Sequence, residues 1–157
     1  MRLPQPPLSL APKTCHNRLV MRVHASCAAL SDDAVLLVGP PGSGKSDLLL
    51  RLIDRGFDLI GDDQVMIDGG QIRPCTALAG MIELRGLGLF RIDHRASATL
   101  RLIVQLGADA TRLPALARAA VPVITLDPAL ASAPIRVHWA LDVACGRRSQ
   151  HCGAFAA

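Results

Sequence analysis

The chain has 157 residues, half of them hydrophobic and 19 % charged, with a formal net charge of +4; that is one globular domain with room for a core, not a disordered segment. Its cations are scattered, with no run longer than Arg147-Arg148, and aromatics are scarce (no Tyr, one Trp, three Phe), so a solvated surface is expected rather than nucleic-acid binding. No apolar run approaches the roughly 18 residues of a membrane span, and five Cys without a C-x-x-C pair or metal-ligand spacing point to free thiols in a reducing cytoplasm.

In chain order, the proline-rich residues 1–20 read as a flexible leader, residues 21–148 as the folded domain and 149–157 as a tail. Arg22 to Leu30 reads as a strand, with a turn at Ser31-Asp32-Asp33. The apolar Val35 to Val38 is a buried strand. It runs into a glycine-rich turn and a helix from Ser46 to about Asp54, which Gly56 stops. Phe57 to Ile60 is a short strand leading into Gly61-Asp62-Asp63. Gln64 to Ile67 and Gln71 to Arg73 then form a hairpin about Asp68-Gly69-Gly70. Met81 to Asp93 is dotted with glycine, and Thr99 to Leu106 and Val121 to Leu126 are further strands. Between Pro134 and Ala144 the apolar residues alternate, which suits a strand, but Ser132, Pro134 and Gly146 are placed as helix signals. A helix is the preferred reading, and the whole is an α/β domain with an antiparallel, hairpin-bearing portion.

The turn after Val38 reads Gly39-Pro40-Pro41-Gly42-Ser43-Gly44-Lys45-Ser46, a G-x-x-x-x-G-K-S phosphate loop between a buried strand and a helix. Its glycines permit positive φ, so backbone N–H groups can face a β-phosphate, and the helix N-terminus adds about half a positive charge at that point. Lys45 is suited to the β- and γ-phosphates and the Ser46 hydroxyl to Mg²⁺. Lys45 is one of only two Lys against 15 Arg, so a compact ammonium stands where a planar fork would not fit.

Such a site needs carboxylates. Asp62 and Asp63 follow the first strand after the loop helix, where one can orient metal or water while the other takes a proton; a solvated turn is the other reading. Asp109 is a rival metal-site carboxylate. Glu83 lies among apolar residues and glycines, and His24 has an apolar neighbourhood that suits a structural histidine.

Taken together, these residues resemble the catalytic domain of HPr kinase/phosphorylase. The likeness lies in a His fifteen residues before the loop (His24 to Gly39), the loop itself, R-G-x-x-L-I-x-D-D (Arg55 to Asp63) and the distinctive E-x-R-G-L-G (Glu83 to Gly88). It covers about Val23 to Val143 and is that of a short form without the family's N-terminal domain. The resemblance implies a phosphate-loop domain of the phosphoenolpyruvate-carboxykinase-like type with a mixed sheet, binding ATP and Mg²⁺. It implies that Ser46 and Glu83 hold the metal, that Asp63 is the general base towards a seryl hydroxyl with Asp62 beside it, and that His24 tunes the base. The implied partner is the phosphocarrier protein HPr, and the implied assembly a homo-oligomer, often a hexamer.

Two features depart from the family pattern. Where the family has G-R-N after the VPVITL strand, this chain has ALASAPIR, with Arg136 the nearest Arg, and the C-terminal helical region is abbreviated. A kinase with weak or absent reverse phosphorylase activity is therefore expected, Arg85 and Arg136 being the substitutes at hand. A small-molecule kinase and a nucleotide-dependent switch remain as alternatives. A guanine switch lacks its N-K-x-D, since the one Asn is Asn17, and the chain is short for a motor ATPase.

Overall fold

The computed structural model describes residues 20–108 and 120–155; all but the last residue of the expected leader, and Asp109, lie outside them. In chain order the strands are β1 (Val20–His24), β2 (Ser26–Leu30), β3 (Asp33–Val38), β4 (Asp58–Gly61), β5 (Gln64–Asp68), β6 (Gln71–Pro74), β7 (Met81–Leu84), β8 (Gly88–Arg91), β9 (Ala98–Leu106) and β10 (Val123–Leu126). Helix α1 (Lys45–Asp54) follows β3, and α2 (Ala133–Ala144) follows β10. No helix among these residues is long and apolar enough to cross a membrane.

Eight strands make one mixed sheet in the order β1-β5-β6-β9-β3-β2-β4, with β10 also on β9. β3 runs parallel to β9, and β9 to β10, while the other pairs are antiparallel. Since β3 fills one edge of β9, β6 and β10 share the other: β6 takes its start at Ala98 and Thr99, and β10 its end from Ile103. β3 is buried on both faces, which accounts for its unbroken apolar run. Val35 and Leu37 pack with Leu48, Leu49 and Leu52 of α1 and Val137 and Leu141 of α2. Leu36 packs on the other side with Ile60, Val65 and Ile72.

Two expectations are refined and a third is met. The run expected as one strand from Arg22 breaks at Ala25 into β1, which pairs with β5, and β2, which pairs with β3 and β4. The break faces the corner between β4 and β5, where Asp63 takes φ 68° and its carbonyl accepts the Ala25 N–H at 3.0 Å. Gly61 starts that corner, and a Cβ there would lie 2.8 Å from Val65 Cγ1, so the bend needs glycine. The glycine-dotted stretch after Met81 is a separate hairpin, β7 on β8. The segment after Pro134 is helical as preferred: Val137 and Leu141, four apart, are buried while Ile135 and Trp139 are exposed, so its alternation hides a helical repeat.

The end of α2 is tied back to the start of β3. Arg147 bonds Asp142 at 2.9 Å and Asp33 at 2.6 Å, and Arg101 bonds Asp33 at 3.0 Å. Burial pushes the Asp33 carboxyl up, but hydrogen bonds from Arg147 and Arg101 outweigh it and hold it below the usual carboxylate range.

Candidate active site

The loop after β3 turns tightly, with Ser43 N–H donating to Pro40 O at 3.1 Å. Gly42 and Gly44 have φ of 78° and 94°, a region that favours glycine. At Gly39 a Cβ would lie 2.6 Å from Ser43 Oγ. Gly44 caps α1, so Lys45 and Ser46 open the helix. Lys45 is only 7 % exposed, and its ammonium donates to the carbonyls of Gly39 at 2.8 Å and Pro40 at 3.0 Å.

The corner after β4 brings Asp62 to the same helix start. Its carboxylate is buried and accepts the Ser46 hydroxyl at 2.9 Å on Oδ1 and 3.1 Å on Oδ2. The Ser26 hydroxyl of β2 adds a third bond, at 2.7 Å on Oδ1. Gln64 N–H closes the corner onto Asp62 O at 2.9 Å. Asp63, next along, is exposed instead. His24 ends β1 opposite Gln64 in the register, which sets it beside Asp63.

A cavity of about 610 Å³ gathers these groups: His24, Lys45, Ser46, Asp62, Asp63 and, from the β7–β8 hairpin, Glu83. Arg85 lines it too. His24 is exposed there, not enclosed as its apolar neighbourhood suggested. Arg136 is not part of it; on α2 its Nε donates to Ser132 Oγ at 2.9 Å. Asp109 lies outside the described residues. Ser26 escaped the sequence reading, although a hydroxyl in an otherwise apolar buried strand is itself a signal that a partner is near.

The chemistry of this donor set fits two groups. Positive-φ glycines, an ammonium and a helix N-terminus form a cradle for polyphosphate. A hydroxyl and a carboxylate at 2.9 Å are the hard oxygen donors that Mg²⁺ takes.

The family model for the HPr Serine kinase C-terminal domain matches residues 18–110, which hold the loop, the acidic pair and Glu83. The chain belongs to this family. Among its relatives, an HPr kinase/phosphorylase of Clostridium beijerinckii is 39 % identical over 100 residues, 61 % of this chain and 30 % of that protein. One from Xylella fastidiosa strain M12 is 35 % identical over 111 residues, 62 % of this chain and 32 % of that protein. The matches thus span about a third of the length of these HPr kinase relatives. The structure of the Hpr(Ser) kinase/phosphatase from Coxiella burnetii superposes with a TM-score of 0.59 at 24 % identity, covering 74 % of this chain and 86 % of that one. That likeness shows the fold, the expected α/β arrangement with a mixed sheet.

Proposed function

We propose that this chain carries out ATP-dependent phosphorylation of a serine on an HPr-like phosphocarrier protein. The observation that carries the reading is the Ser46–Asp62 contact at 2.9 Å, which sets a carboxylate on the phosphate loop while Asp63 and His24 share the same cavity. Family membership supports the acceptor class.

The loop N–H groups, the start of α1 and Lys45 hold the phosphates of ATP. Ser46 and Asp62, in contact at 2.9 Å, would hold Mg²⁺, and Glu83, which lines the same cavity, is the further ligand that the resemblance implies. Bound there, such an ion would neutralise charge developing on the phosphate oxygens. Asp63, exposed to the cavity, accepts the proton of the incoming serine hydroxyl. The serine oxygen then bonds to the γ-phosphorus as the bond to the β–γ bridging oxygen breaks, and ADP leaves. His24 tunes Asp63 from the adjacent strand. Asp62 is occupied by two hydroxyls, which leaves Asp63 as the carboxylate open to the incoming serine.

The reverse reaction, phosphate attacking phosphoserine to release pyrophosphate, needs a cation to seat the attacking phosphate. Arg136 is held by Ser132, which leaves Arg85 in the cavity, and a weak reverse activity belongs to the proposal. So do a cytoplasmic location and the homo-hexamer implied by the resemblance, which sedimentation would read.

The test mixes the protein with γ-labelled ATP, Mg²⁺ and either HPr or a panel of small metabolites. Label is expected on an HPr serine. Asp63→Asn is expected to bind nucleotide as the wild type does and to lose transfer by about 10² or more. Label on a metabolite with HPr unlabelled would replace this reading with a small-molecule kinase.

A further inference from the structure

Asp47 follows Ser46 and lines the cavity with its side chain 70 % exposed. A free carboxylate there repels a polyphosphate. One helical turn on, Arg51 reaches back to it, Nη2 to Oδ2 at 2.8 Å. The same guanidinium donates to two carbonyl oxygens beyond β10, Pro128 at 2.5 Å and Leu130 at 3.2 Å. That segment is turned by Asp127, whose carboxylate accepts the Ala129 N–H at 2.9 Å. Its proline lies on the phosphate loop, since a Cβ at Gly44 would stand 3.3 Å from Pro128 Cγ. β10 and β3 both run parallel to β9, so this segment and the loop leave the sheet at the same end, the end where such sheets bind ligands.

We propose that Arg51 is a positioning residue of the nucleotide site with two effects. It staples the Pro128–Leu130 segment onto Gly44, the last glycine of the phosphate loop, and it neutralises Asp47 beside the phosphates. The fork geometry matters for the first effect and the charge for the second. A lysine offers its donors from a single nitrogen, whereas the Arg51 bonds leave from two, Nη1 to Leu130 and Nη2 to Pro128 and Asp47, so a lysine keeps the charge but not the span of the fork. The proposal rests on the reading of the loop as an ATP site and not on the identity of the acceptor.

The experiment is equilibrium binding of a fluorescent ATP analogue with Mg²⁺ to the whole chain, with melting temperature recorded beside it. Arg51→Ala is expected to weaken binding by about tenfold and Arg51→Lys by about threefold. Adding Asp47→Asn to Arg51→Ala is expected to return about threefold, because the repulsion goes with the charge. In the transfer assay the loss should fall on KM for ATP, with kcat held within about twofold. Affinity within twofold of wild type in Arg51→Ala, a lowered melting temperature with unchanged affinity, or no recovery from Asp47→Asn overturns the proposal. Should Arg51→Ala not fold, Arg51→Lys decides: wild-type affinity there overturns it. A wild type that binds no analogue overturns both readings of the site, whereas one that binds it but leaves HPr unlabelled overturns the acceptor alone.

Discussion

Replacing Asp62 by Asn separates its electrostatic role from its structural one. The residue is 8 % exposed, and Oδ1 takes both short bonds, from Ser26 at 2.7 Å and Ser46 at 2.9 Å. An Asn oxygen in that place keeps both. The new NH₂ faces Ser46 Oγ, which lies 3.1 Å from Oδ2 and can accept from it. The geometry therefore survives while the charge goes. Two hydrogen bonds fall from charged to neutral strength, about 1 kcal/mol each, and the removed cost of burying an anion offsets part of that. The expected loss is within about 2 kcal/mol, or a melting shift of roughly 4–8 °C for a chain this size. Magnesium binding is expected to respond differently, because the proposed anionic oxygen donor becomes a neutral one. The Mg²⁺ midpoint is expected to rise by about tenfold or more and maximal transfer to fall by about 10². The assay is transfer rate against Mg²⁺ at saturating ATP, with thermal unfolding recorded in parallel. Ser26→Ala is the control: it removes a bond to Asp62 but no charge, and should cost about 1–3 kcal/mol of stability while moving the midpoint by less than about threefold. A wild-type Mg²⁺ curve in Asp62→Asn, or an equal shift in both variants, would falsify the assignment of Asp62 to the metal.

Three further outcomes are expected. Lys45→Ala should lose about 10² to 10³ in transfer rate with its far-UV spectrum unchanged, since its ammonium bonds loop carbonyls and not the core; turnover near wild type would remove Lys45 from the site. Asp33, whose carboxyl is held low by Arg147 and Arg101 against the effect of burial, stabilises the fold above its unfolded pKa of about 3.9 and ceases to as pH falls through its lower folded value. The stability gap between wild type and Asp33→Asn should thus close in acid, and a gap of equal size at pH 7 and pH 2 would rule the linkage out. Burial pushes the Cys27 thiol well above its usual range, so a thiol reagent should label exposed Cys152 in the native protein and Cys27 only after unfolding; prompt native labelling of Cys27, mapped by mass spectrometry, would show that the strand opens.

The sequence by itself determined the phosphate loop, its strand and its helix. That is because G-x-x-x-x-G-K-S joins local backbone demands, positive φ and a helix start, to a single chemistry. It also determined the hairpin at Asp68-Gly69-Gly70, carried by turn residues that act within a few positions. After Pro134 it only favoured a helix over a strand, and burial of Val137 and Leu141 against the sheet decided it. E-x-R-G-L-G marked Glu83 and Arg85 through likeness alone, and nothing local told that they line the same cavity as the loop. Tertiary structure decided what depends on distant strands meeting. Ser26 and Asp62 are 36 residues apart, and they touch because β2 pairs with β4 and the corner at Asp63 turns one carboxylate inward and the next outward. The adjacent Asp residues thereby receive different surroundings, which two identical letters cannot encode. Arg51 likewise reads as one more surface cation of α1 until β10, by pairing parallel to β9, delivers the carbonyls of Pro128 and Leu130 to it. Periodicity and capping are short-range physics and can be read along the chain, whereas which oxygen meets which hydroxyl is set by sheet register.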